Sequence, residues 1–174
     1  MTIALFETIS LVLGAYILGS LSSAIILSKL MGFTDPRSDG SNNPGATNVL
    51  RIAGKKAAIL TLTGDSLKGL IPVLIAQWLT NSELVIALTG LGAFLGHCYP
   101  LFFRFKGGKG VATSMAVAVG FNWIIGLTIT AIWLLFAKVF KISSLADIVA
   151  FGALPLLVYW TCSTTSVTLV CWMI

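Results

Sequence analysis

Two runs of small, basic and donor-bearing residues interrupt an otherwise apolar chain: Gly40-Ser41-Asn42-Asn43-Pro44-Gly45-Ala46-Thr47-Asn48-Val49-Leu50-Arg51 and Lys106-Gly107-Gly108-Lys109-Gly110-Val111-Ala112-Thr113. Glycine lets backbone N–H groups approach an oxyanion closely, and Arg, Lys, Ser, Thr and Asn side chains add donors. That is the chemistry that holds phosphate. The first run is denser in donors than a solvated connector requires, and it ends on the cation Arg51. The second places Gly107, Gly108, Lys109 and Gly110 just ahead of an apolar helical run, so amides and the positive end of a helix dipole face an anion. It is not a Walker A loop, which needs Gly, four residues, then Gly-Lys-Ser/Thr, because Lys109 is followed by Gly110. Asp65 and Lys68 lie three apart on one helical face, a spacing that suits a structural ion pair or a polar site facing a bundle interior. His97, the single histidine, reads first as a residue packed against a loop and second as a general base. Ser143 and Ser144 follow Lys141 where serine is an ordinary helix N-cap.

The elements that must position these residues are membrane spans. Of the 174 residues, 57% are hydrophobic and 10% charged, against roughly a quarter charged in a soluble domain. No basic segment and cleavage site frame the first apolar stretch, so residues 1–27 read as a retained span. Residues 3–28, 57–79, 84–103, 110–137 and 142–174 are long apolar stretches, with Asp65 and Lys68 interrupting the second. Gly120-Phe121-Asn122 divides the fourth, and Thr161 to Thr165 the last. The expectation is an all-α, polytopic bundle in one domain, residues 1–174, with six spans and the start of a seventh. Residues 164–174 would rise only about 16 Å, so the seventh is expected to stop inside the membrane. Gly14, Gly19, Ser20, Ser22 and Ser23 read as close helix packing.

All eleven Lys and Arg residues fall within 29–68, 104–109 and 138–141. The positive-inside rule puts these regions on the cytoplasmic face and the amino terminus outside. The net charge of +5 therefore reports loops beside anionic lipid and not a nucleic-acid surface. Cys98, Cys162 and Cys171 are scattered in apolar sequence, which suggests neither a disulfide framework nor a metal site.

Taken together, Gly19-Ser20, Asp35-Pro36-Arg37, the Gly40 to Arg51 run, Asp65-Ser66-Leu67-Lys68-Gly69, Gly96-His97 through Thr113 and Ser143-Ser144-Leu145 resemble the bacterial acyl-phosphate:glycerol-3-phosphate acyltransferases, integral membrane enzymes. The resemblance implies a seven-helix inner-membrane bundle. Its three cytoplasmic motifs move a fatty acyl group from acyl phosphate to the 1-hydroxyl of glycerol 3-phosphate, giving lysophosphatidic acid and phosphate in phospholipid synthesis. It implies that Ser41, Asn43, Gly45, Thr47, Asn48 and Arg51 belong to the first motif, Gly107, Gly108, Lys109, Gly110 and Thr113 to the second, and Ser144 to the third. A soluble enzyme that makes acyl phosphate is the implied partner. Two departures stand out. Asn42 replaces the family's usual glycine, and the chain ends before the family's tail with its His and Asn, so impaired activity is expected.

An acyl phosphate is an activated mixed anhydride, so no cofactor, ATP or covalent nucleophile is required; positioning and charge stabilisation suffice. Arg51, Lys109 and the loop amides are expected to hold two phosphates, with Ser41, Thr47 and Ser144 near the carbonyl and the attacking hydroxyl. The substrate phosphate is preferred to His97 as proton acceptor. The His-x4-Asp pair of many glycerolipid acyltransferases is absent, since Phe102 takes the acid's position. The rival reading is a phosphate or organophosphate transporter, for which polar residues near mid-bilayer and internal repeats are expected. The donors here gather instead at one interface.

Overall fold

The computed structural model describes residues 5–161. Its seven α-helices are α1 Leu5–Gly19, α2 Ser23–Met31, α3 Ala46–Leu79, α4 Glu83–Cys98, α5 Val111–Phe121, α6 Trp123–Phe140 and α7 Ser143–Thr161, with a 3-10 turn at Leu101–Phe103. Leu5–Met31, Ala46–Leu79, Glu83–Phe103 and Trp123–Phe140 are long and apolar enough to cross a membrane. Val111–Phe121 and Ser143–Tyr159 are shorter apolar helices. The expected start of a further span, residues 164–174, lies outside the described residues.

The predicted break at Gly120-Phe121-Asn122 is present. The Asn122 side chain accepts from the Ile124 and Ile125 amides and so caps the new helix. Two breaks differ from expectation. The first apolar stretch is not one helix but stops at Gly19 and resumes at Ser23, with Ser20 and Ser22 buried in the gap. The Gly40 to Arg51 run is not a connection throughout but leaves the loop after Gly45, because Ala46–Arg51 already form the first turns of α3. That short helix runs to Gly54, whose φ of 80° interrupts α3 ahead of the apolar part.

Helix α1 packs along α4, α3 lies against α4 and α5, α2 lies against α3, and α6 joins α5 to α7. The close packing expected of the first span holds for Gly19, where an added Cβ would strike the Ala93 carbonyl, but not for Gly14, which has nothing within 4 Å. Ser23 instead closes on Gly64 of α3. The order of helices puts the loops after α2, α4 and α6 at one end of the bundle. Helices α3, α5 and α7 all begin there.

Candidate active site

The first loop is built around Asn48. Its amide nitrogen donates to the Pro36 carbonyl (3.0 Å) and the Asp39 carbonyl (2.9 Å), and its oxygen accepts the Ser41 N–H at 2.9 Å. The residue is 1% exposed, and with both amide protons committed it shapes the loop instead of offering donors to a ligand. Asn42, which stands where the resembled family usually has glycine, has φ of 56°, a left-handed geometry that Asn tolerates better than most residues. Asn43 folds onto Gly45, which lies just ahead of α3. No side chain caps that helix. Ser41, Thr47 and Arg51 are exposed, and their side chains have no partner among the described residues. Thr47 and Arg51 are four apart on α3 and therefore share a face.

The second loop follows the end of α4. The Gly108 N–H donates to the His97 carbonyl at 3.2 Å. A Cβ at Gly108 would overlap the His97 Nε2, so glycine is needed for the loop to lie on the ring. Gly110 has φ of 79° and its Cβ would strike the Phe94 ring, so glycine is needed here twice over. It precedes α5 without any side-chain cap, which leaves the start of that helix available to an anion.

Lys109 leaves this loop and reaches the third motif, its Nζ donating to the Ser144 Oγ at 3.0 Å and lying 3.8 Å from the Asp147 Oδ2. Asp147 is held from behind by the Trp133 indole N–H at 2.8 Å. Ser144 lies in the first turn of α7 and not at its cap, because the helix starts at Ser143. Asp147 had not been singled out, although its signal was available: it is the only acid after Glu83, three residues beyond Ser144 in an apolar helix.

Arg37 joins the first loop to the second. Its guanidinium grips Asp35 at 2.7 Å and donates to the Phe103 carbonyl at 3.2 Å. This hydrogen-bonded guanidinium holds the Asp35 carboxyl below its ordinary value of 3.8.

Asp65, Lys68, His97 and Thr113 meet beneath the second loop. The Lys68 Nζ lies 2.9 Å from the Asp65 Oδ1 and donates to the Leu21 carbonyl, in the gap between α1 and α2, at 2.9 Å. The Thr113 hydroxyl donates to the Asp65 backbone carbonyl at 3.0 Å and lies 3.2 Å from the His97 Nδ1. All four side chains are buried.

The geometry thus pairs Lys109 with Ser144 and gathers Asp65, Lys68, His97 and Thr113 into a cluster apart from the exposed donors Ser41, Thr47 and Arg51. Three helix N-termini thus lie at one end of the bundle with the exposed cations Arg51 and Lys109, an arrangement suited to an anion.

A family model described as glycerol-3-phosphate acyltransferase matches residues 9–174. The chain belongs to that family. The glycerol-3-phosphate acyltransferase of Methylococcus capsulatus is 54% identical over 83% of this chain and 73% of its own length. That of Hydrogenovibrio crunogenus is 50% identical over 90% and 79%. Among solved structures, PlsY (YgiH), an integral membrane glycerol 3-phosphate acyltransferase, superposes in its glycerol 3-phosphate form with a TM-score of 0.92 at 39% identity, covering 96% of this chain and 84% of that one. Its lysophosphatidic acid form gives 0.88 at 38% identity, covering 96% and 83%. This acyltransferase is accordingly an all-helical, multi-pass membrane protein. The relatives lend no support to the transporter alternative.

Proposed function

We propose that this acyltransferase moves a fatty acyl group from acyl phosphate to the 1-hydroxyl of glycerol 3-phosphate at the cytoplasmic face of a bacterial inner membrane, with its amino terminus outside. A soluble enzyme that makes acyl phosphate supplies the donor. The observation that carries the reading is the Lys109 to Ser144 hydrogen bond, which puts a cation and a hydroxyl from two motifs in one place at the end of the bundle where the Asn48-braced loop also lies. Arg51, Lys109 and the loop amides hold the phosphates. Ser41, Thr47 and Ser144 orient the carbonyl and the attacking hydroxyl.

The glycerol hydroxyl oxygen bonds to the acyl carbon, the carbon–oxygen bond to phosphate breaks, and the hydroxyl proton leaves on a substrate phosphate. The anhydride already holds the driving force, so the protein contributes placement and neutralisation of charge. His97 fits poorly as the base because it is 6% exposed and its Nε2 lies under Gly108.

Purified protein given acyl phosphate and labelled glycerol 3-phosphate, without ATP, is expected to release lysophosphatidic acid and phosphate in equal amounts. Turnover with an acyl thioester equal to or faster than with acyl phosphate overturns the donor assignment.

A further inference from the structure

We infer that Thr113 and His97 are positioning residues that transmit the placement of α3, fixed by Asp65 and Lys68, to the Gly107-Gly108-Lys109 loop. The inference deepens the acyl-transfer reading and rests on it for its kinetic consequence.

The Thr113 hydroxyl has a single proton, directed to the Asp65 carbonyl at 3.0 Å. Its contact with the His97 Nδ1 at 3.2 Å is then a hydrogen bond only if the histidine donates, which assigns the proton to Nδ1. The Asp65 Oδ1, 3.8 Å from the same nitrogen, favours the same assignment. The ring is thereby set in one orientation, with Nε2 turned to Gly108 and the His97 carbonyl accepting the Gly108 N–H. On the opposite side, Lys68 ties Asp65 to the Leu21 carbonyl. Closeness leaves the loop no slack. A Cβ at Gly69 would strike the Thr113 backbone carbonyl at 2.5 Å, and one at Gly107 would overlap the His97 carbonyl. With its proton spent on Asp65, Thr113 holds the loop in place and does not bind substrate.

Two pairs of variants test this. Thr113→Val keeps the shape and deletes the hydroxyl, whereas Thr113→Ser keeps the hydroxyl. His97→Asn places an amide nitrogen near the Nδ1 position, where it still donates to Thr113, whereas His97→Gln places its amide near Nε2. The loss in Thr113→Val is expected to be about 10-fold or more in kcat/KM, falling mainly on KM for the phosphate-bearing substrate, with Thr113→Ser within about 3-fold of wild type. His97→Asn is expected to retain more activity than His97→Gln. Hydrogen exchange at Gly107–Gly110 should speed up in Thr113→Val and not in Thr113→Ser, whatever the activity.

Unchanged exchange and kinetics in Thr113→Val overturn the inference. So does a pure kcat loss, or His97→Gln outperforming His97→Asn. Should Thr113→Val fail to fold, the order of the two His97 variants decides. Turnover of an acyl thioester in place of acyl phosphate sinks the acyl-phosphate reading alone, since the exchange experiment still judges the loop.

Discussion

Asn48 and Arg51 stand one turn apart at the start of α3, yet the first spends its side chain on the loop and the second keeps its own free. Asn48→Ala leaves the Ser41 N–H and two carbonyls without their partner, at a cost of about 1–3 kcal/mol. Faster hydrogen exchange between Asp39 and Gly45 should accompany the loss of activity; unchanged exchange would remove Asn48 from the loop's framework. Arg51→Ala removes an exposed cation, so the melting temperature should hold while kcat/KM falls by roughly 10- to 150-fold. The same loss is expected of Lys109→Ala, and near-normal kinetics in both variants would end the phosphate-cradle assignment. The sequence showed the supply of donors clearly. It could not show which were already taken, because Asn48 and Thr113 are spent on carbonyls that only the fold brings near.

Acid should loosen the clamp between the loops for a related reason. Arg37 lowers the Asp35 pKa, so the pair's contribution is complete above the ordinary carboxylate value and is lost as pH falls through the lower folded one. Thermal midpoints of wild type and Asp35→Asn should therefore differ by a constant amount above about pH 5 and converge in acid. A gap that widens toward low pH contradicts this.

At the scale of elements, α3 carries a buried ion pair whose energetics depend on both partners being present. Lys68 and Asp65 are 5% and 3% exposed, and removing one leaves a buried charge alone, typically a loss of about 3–5 kcal/mol. Lys68→Met should therefore destabilise severely, and adding Asp65→Asn should recover much of the loss by removing the stranded carboxylate. Thermal midpoints of the four proteins in one detergent complete the cycle. Additive losses would show that the two residues do not form a unit. The three-residue spacing announced this pair, and Asn122 announced the break before α6. The gap between α1 and α2 was hidden because Ser20-Leu21-Ser22 sits in an uncharged stretch. The backbone there is completed by Lys68, from 47 residues further along the chain. Local turn signals at Ser41 to Gly45 also masked the helical start at Ala46, where the tertiary burial of Asn48 and Val49 outweighs them.

At the scale of the whole molecule, charge segregation and helix order agree without depending on one another. The sequence groups every Lys and Arg except the buried Lys68 near three connections, and the helices deliver those three connections to one end. The ties from Arg37 to Phe103 and from Lys109 to Ser144 cross between them. Hydropathy pointed to that shared end because membrane burial penalises stray charge, but it could not reveal which side chains bridge the loops. Which face of the membrane that end occupies follows only from the positive-inside rule. Single cysteines at Ser41, Lys109 and Ser144, placed in the protein with Cys98, Cys162 and Cys171 replaced by Ala, test it. In sealed cells an impermeant maleimide should label none of the three, and all should react once the membrane is opened. Labelling of all three from outside would invert the topology while keeping the site intact. Labelling of only some would break the single-ended arrangement, and with it the proposal that the three motifs act on one pair of substrates.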